Sequence, residues 1–167
     1  MKLICGSEKY QLAGPKESAI GLRVVAPNLP PEIEVGGYKL LFKSSFHVTL
    51  VPIGHIAAKH KVARPDFVDG IVADFCDFTR KNSVDFIRYR GEFRFASQDE
   101  KRSVVAMCEV SSLKEFYEII NKKYGLAVEA PPTHVTLYTL QPDAGIFLTN
   151  TDDINSLTKI IDAPFAL

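Results

Sequence analysis

The alternation of apolar and polar positions is sharpest between Val84 and Ala96. There Ile87, Tyr89, Phe93 and Phe95 share one parity and Arg88, Arg90 and Arg94 the other, as in a strand with one buried face. Ser97 to Lys101 is polar enough to turn, and Arg102 to Val110 reads as the returning strand of an antiparallel pair. The period becomes helical on either side. Phe67, Val68, Ile71, Val72, Phe75 and Phe78 recur at threes and fours and predict a helix over about 65–81, with Pro65 at its first position. Leu113, Phe116, Tyr117, Ile120 and Tyr124 form a second helical stripe. Ser112 and Glu115 there suggest a capping box, and Gly125 a left-handed C-terminal stop.

Elsewhere the pattern is mostly extended. Tyr38 to Ile53 is rich in strand formers, and Pro52 with Gly54 closes it. Gly14-Pro15, Pro27, Pro30-Pro31 and Gly36-Gly37 break up the first 37 residues, leaving only Gly21 to Ala26 strand-like. After Pro131-Pro132 a strand is expected over 133–140. A loop with Pro142 and Gly145, a short strand over 145–148 and a last helix over about 152–161, capped by Thr151, complete the chain. Hairpins and helices without regular βαβ alternation predict an α+β fold.

The 167 residues suit a single domain, or two small lobes sharing an interface. Net charge is zero, whereas a surface that grips long duplex nucleic acid needs a basic excess; a small substrate or the end of an RNA is the expected partner. Cys5, Cys76 and Cys108 are few and widely spaced, so neither a disulfide framework nor a cysteine zinc site is expected. The charged N-terminal residues leave no run resembling a leader or a membrane span, and the expected compartment is the cytoplasm.

Candidate chemistry lies in a repeat. His-Val-Thr-Leu occurs at 47–50 and again at 134–137, using two of the four histidines. On a strand, each copy puts its histidine and threonine on one face and its valine and leucine on the other. The same tetrapeptide is also a good strand sequence, and a lone strand histidine is usually structural. A pair differs, because two imidazoles titrating near neutrality can hold opposite protonation states at one pH. His47 and His134 could then flank a phosphorus atom, either one as base and the other as acid, with the Thr49 and Thr136 hydroxyls donating to its non-bridging oxygens.

On these residues the chain resembles the two-histidine, or 2H, phosphoesterase superfamily, whose signature is a pair of His-x-Thr/Ser-x motifs with hydrophobic x. The resemblance spans about Tyr38 to Leu140. It implies a single bilobal domain over 1–167, with two mainly antiparallel sheets, helices packed outside, and one motif strand from each lobe at a central cleft. It also implies metal-independent chemistry without a cofactor on nucleotide or RNA-end phosphodiesters, typically opening a 2′,3′-cyclic phosphate to a 2′-phosphate. Ligation to a 2′-5′ link uses the same groups in reverse, and a binding module without turnover is the rival from another class.

Several residues extend this picture. Tyr138 continues the parity of His134 and Thr136, and so is expected to face the cleft, its ring stacking on a base or its hydroxyl contacting phosphate. Ser45 and Lys43 share the parity of His47, with Lys43 expected too far out to help. Arg88 and Arg90 are candidate phosphate ligands, set against the plainer reading of a solvated hairpin face with Arg94. His55 and His60 lack the partners of a zinc site, and no protein partner is suggested.

Overall fold

A computed structural model describes residues 2–62 and 66–167. The chain forms two compact units. The first combines Met1–Arg23, Thr49–Phe86 and Val110–Pro131; the second combines Val24–Val48, Ile87–Glu109 and Pro132–Leu167. The class is α+β with mainly antiparallel strand pairing.

In the first unit, β1 (Lys2–Leu3), β2 (Tyr10–Ala13) and β3 (Ala19–Arg23) pair antiparallel, with Lys2 opposite Leu12 and Tyr10 opposite Leu22. Helices α1 (Ile53–Lys59), α2 (Phe67–Thr79) and α3 (Leu113–Tyr124) complete it. The ring of Tyr10 meets Phe75 edge-on at 5.1 Å, and Phe75 meets Phe116 at 5.2 Å. Phe75 and Phe116 are fully buried, each contributing about 2–3 kcal/mol. The Tyr10 hydroxyl accepts from the Val84 amide and donates to the Val84 carbonyl, both at 3.0 Å, which satisfies its polar end inside the core. Helix α1 starts against β3: the Gly54 amide donates to the Ser18 carbonyl at 2.9 Å, and a Cβ at Gly54 would lie 2.9 Å from that of Ser18.

The second unit is built around β9 (His134–Thr139). β4 (Glu32–Val35) and β5 (Tyr38–Phe42) form a hairpin through Gly36 and Gly37, whose φ values of 59° and 80° satisfy a two-residue turn that needs positive φ twice. β5 pairs with β9 through Leu41–Thr139 and Phe42–Tyr138, and β6 (His47–Val51) pairs with it at Val48–Val135. β8 (Lys101–Val110) lies on the other side of β9, followed by β7 (Phe86–Gln98) and β10 (Thr158–Ile161). Ala96, Val105, Met107, Ile146, Leu148 and Ile154 form one buried cluster, joining β7 and β8 to the segment after β9 and to α4 (Thr151–Leu157).

The structure corrects several expectations. The N-terminal region forms β1, β2 and β4 as well as β3, which spans Ala19–Arg23 where 21–26 is expected, because pairing partners organise segments whose own patterns are short. Ser112 makes no side-chain cap and adopts φ 57°, so the expected capping box is not formed; Gly125, at φ 65°, ends α3 as expected. Residues 145–148 are not a strand, although Ile146 and Leu148 are buried and Phe147 is exposed. The last helix is capped by Asn150, whose side chain accepts from Asp153, and not by Thr151. It stops at Leu157, and Thr158-Lys-Ile-Ile, three of them β-branched, forms β10 against β7. Pro65 lies outside the described residues. Cys5 and Cys76 form a disulfide across 71 residues, tying the turn after β1 to α2; nothing in their spacing announced it. No helix among the described residues is long and apolar enough to cross a membrane.

Candidate functional site

Strand β6 alternates as its sequence predicts: Val48 and Leu50 are buried, while His47 and Thr49 are half-buried. Burial of the apolar pair fixes the strand's register, since a one-residue slip would send both to the other face. His47 and Val48 belong to the second unit and Thr49 to the first. In β9, His134 is buried and Thr136 half-buried. Residues directly opposite on adjacent strands share a face. Val48 opposes Val135, so His47, one residue from Val48, shares the face of His134, one residue from Val135. Both motif histidines therefore lie on one face of one unit, on neighbouring strands.

A bulge interrupts β9 beyond Thr136. Val104 and Val105 are consecutive on β8, yet they oppose Tyr138 and Thr136. Leu137 is thus an extra residue in β9, and every side chain after it changes face. Tyr138 consequently points away from the histidines. It is fully buried, its ring 5.2 Å from Phe42 and 5.6 Å from Phe165, and its hydroxyl donates to the Pro30 carbonyl at 2.8 Å. The expected stacking role of Tyr138 is replaced by packing; parity cannot be carried across a bulge.

The electrostatics centre on the imidazoles. Burial, the Lys43 ammonium and the His134 ring together push His47 down to about 4. Burial also pushes His134 below its ordinary value, opposed by the bond from its Nδ1 to the Pro132 carbonyl at 2.9 Å. A carbonyl can only accept, so Nδ1 carries the hydrogen and Nε2 of neutral His134 keeps its lone pair. Neither threonine hydroxyl has a hydrogen-bond partner among the described residues.

Of the other sequence candidates, Arg88 gives two hydrogen bonds to Glu109, and Arg90 lies 3.6 Å from the same carboxylate. Arg94 pairs with Glu92. Two carboxylates thus serve the three cations, with Arg88 and Arg90 sharing Glu109, and the charge acting on His47 comes from Lys43 and His134 instead. Ser45 is exposed in the segment between β5 and β6. His55 is exposed on α1 and His60 caps its end.

Sequence reasoning missed a flap. The Ser44 hydroxyl lies 3.3 and 3.4 Å from the two Asp143 carboxylate oxygens. Gly145 lies beside Thr136, such that a Cβ there would be 4.0 Å from its Oγ1. The turn after β9 thus folds back over the motif threonine; only the glycine and proline around it hinted at a turn. No protein-family model, curated protein or solved structure matches the chain.

Proposed function

We propose that the chain is a metal-independent phosphodiesterase of the two-histidine type, acting on a nucleotide or RNA-end phosphodiester, with a 2′,3′-cyclic phosphate opened to a 2′-phosphate as the leading substrate. The observation that carries this reading is the presentation of His47 and His134 on one face of neighbouring strands, each followed two residues later by a threonine whose hydroxyl has no hydrogen-bond partner among the described residues. In this reading the two compact units correspond to the lobes of a bilobal 2H fold.

The proton inventory supports a division of labour. His47 is disfavoured as imidazolium by burial and by two neighbouring groups, so it serves as the base that takes a proton from the attacking water. The Nδ1–H of His134 is held by the Pro132 carbonyl, a contact that strengthens when the ring is charged, so His134 serves as the acid through Nε2. Water adds to phosphorus as the bond to the ribose 3′ oxygen breaks, and that oxygen receives the proton from His134. Thr49 and Thr136 donate to the non-bridging oxygens as charge builds there. Ligation replaces the attacking water with a ribose 5′ hydroxyl, which gives its proton to His47 and bonds to phosphorus as the bond to the 3′ oxygen breaks and that oxygen takes the proton from His134, leaving a 2′-5′ link.

One observation favours the second reading, a binding module without turnover. Both imidazoles are pushed toward the neutral state in the free protein, so the acid must be charged by the arriving substrate. Hydrolysis of nucleoside 2′,3′-cyclic monophosphates and cyclic-ended RNAs in EDTA, by wild type, His47→Ala and His134→Ala, separates the two. Turnover in chelator that both substitutions abolish is expected, and phosphorus NMR identifies the broken bond. Folded wild type that binds these ligands without product would establish the binding module; activity abolished by EDTA would refute the metal-independent mechanism. A cytoplasmic location requires Cys5 and Cys76 to stay reduced, or their bond to survive a reducing environment. Thiol alkylation in intact cells reads that state directly.

A further inference from the structure

We infer that Lys43 is the substrate-anchoring cation of this site, its ammonium binding the non-bridging phosphoryl oxygens beside Thr136 under the Asp143–Gly145 turn. This rests on the two-histidine reading and names the anion-binding group of that same site.

The path of the chain puts Lys43 there. β5 leaves β9 at Phe42, opposite Tyr138, and β6 rejoins it at Val48, opposite Val135. Residues 43–47 thus loop out beside only Thr136 and Leu137. The Lys43 amide donates to the Leu137 carbonyl at 3.0 Å, fixing the root of the side chain at the bulge. Phe42 shares the face of Tyr138, with their rings 5.2 Å apart. Its successor therefore leaves on the opposite face, that of His47, His134 and Thr136. The next residue, Ser44, holds the Asp143 carboxylate, which brings the turn over Thr136 next to the lysine.

The charge balance favours binding of an anion here. Lys43 is half-buried and has no ion-pair partner among the described residues. Burial disfavours its charge, and Asp143 offsets this only in part. An ammonium drawn from water within reach of the His47 imidazole is costly unless an anion completes the set. A phosphoryl group supplies that charge, offsets the Lys43 ammonium at His47, and favours the charged form of an imidazole beside it. Anion binding and charging of the acid thereby become one event. Arg88 and Arg90 share Glu109 and Arg94 pairs with Glu92, and none of the three is among the groups acting on His47, whereas Lys43 is.

The test uses inorganic phosphate as probe and the imidazole nitrogen resonances of the full chain as readout. Saturable phosphate shifts of His47 and His134 are expected in wild type. Lys43→Met is expected to weaken phosphate binding about tenfold or more, in line with loss of a charge-assisted contact, and to move the His47 midpoint upward with the rest of the spectrum unchanged. Lys43→Arg should recover much of the binding. In turnover, Lys43→Met should raise KM more than it lowers kcat. No phosphate response in wild type, or equal affinity in Lys43→Met, overturns the assignment. Lys43-dependent phosphate binding without hydrolysis of any cyclic phosphodiester would uphold the anion site and refute the hydrolase. Hydrolysis that needs both histidines but is indifferent to Lys43→Met would do the reverse.

Discussion

Removing the imidazole of His47 should flatten the acid side of the protein's stability profile. In the unfolded chain a histidine titrates near 6.5, whereas in the fold His47 is held down to about 4 by burial, Lys43 and His134. Between those values the unfolded state binds more protons, so stability falls as pH falls. The contribution is fully present above the unfolded pKa and is lost as pH descends through the folded one. A gap of roughly 2.5 units at 1.36 kcal/mol each gives about 3 kcal/mol in total, of which about 2 kcal/mol is lost between neutrality and pH 5. His134, shifted in the same direction, adds its own loss in wild type and variant alike. The difference between them therefore isolates His47. Urea unfolding of wild type and His47→Asn, near pH 7.5 and near pH 5, measures it; wild type should lose about 2 kcal/mol more than the variant. Parallel losses, within a few tenths of a kcal/mol, would show that the imidazole is not desolvated and would remove the argument for a neutral base.

Because a bound phosphoryl group offsets the charge of Lys43 at His47, the pH optimum of kcat should lie above that of kcat/KM; coincident optima in steady-state profiles would contradict this coupling. If His134 is the acid, a para-nitrophenyl phosphodiester, whose leaving group needs no proton, should restore most of the rate lost in His134→Ala but not in His47→Ala. Thr136→Val should lower kcat by about a hundredfold with little change in KM, the loss typical of one donor to a developing oxyanion. Replacing Cys5 and Cys76 with serine releases a loop spanning 71 residues, and chain entropy puts the cost at about 4 kcal/mol in chemical unfolding. Tyr138→Phe forfeits the bond to Pro30 and should cost about 1 kcal/mol while leaving KM unchanged.

The elements most legible in the sequence are those whose own pattern decides them. The amphipathic stripes of α2 and α3, the β7–β8 hairpin and both motif strands appear close to their expected positions, because each carries several turns or alternations of consistent periodicity. What was missed depends on partners. β10 is a strand because β7 lies beside it, and its four residues carry too short a signal to stop a helix. The histidine and threonine faces of the motifs followed from the two-residue period of a strand. Tyr138 did not, because the extra residue at Leu137 is a property of the register between β8 and β9, which no local pattern records. Lys43 had the right parity, but its nearness to the imidazoles depends on the loop that 43–47 must form between two attachments to β9. The disulfide joins residues far apart in sequence, where spacing alone carries no information.

The interleaving of the two units sets an order on synthesis. The first unit needs nothing beyond Pro131, whereas the second draws on Pro132–Leu167, including β9 and Phe165, whose ring packs on both Phe93 and Tyr138. A nascent chain can therefore complete the first unit while His47 still waits for its neighbouring strand. Throughout that interval Val48 and its apolar neighbours in β5 present an unpaired edge to other chains emerging nearby.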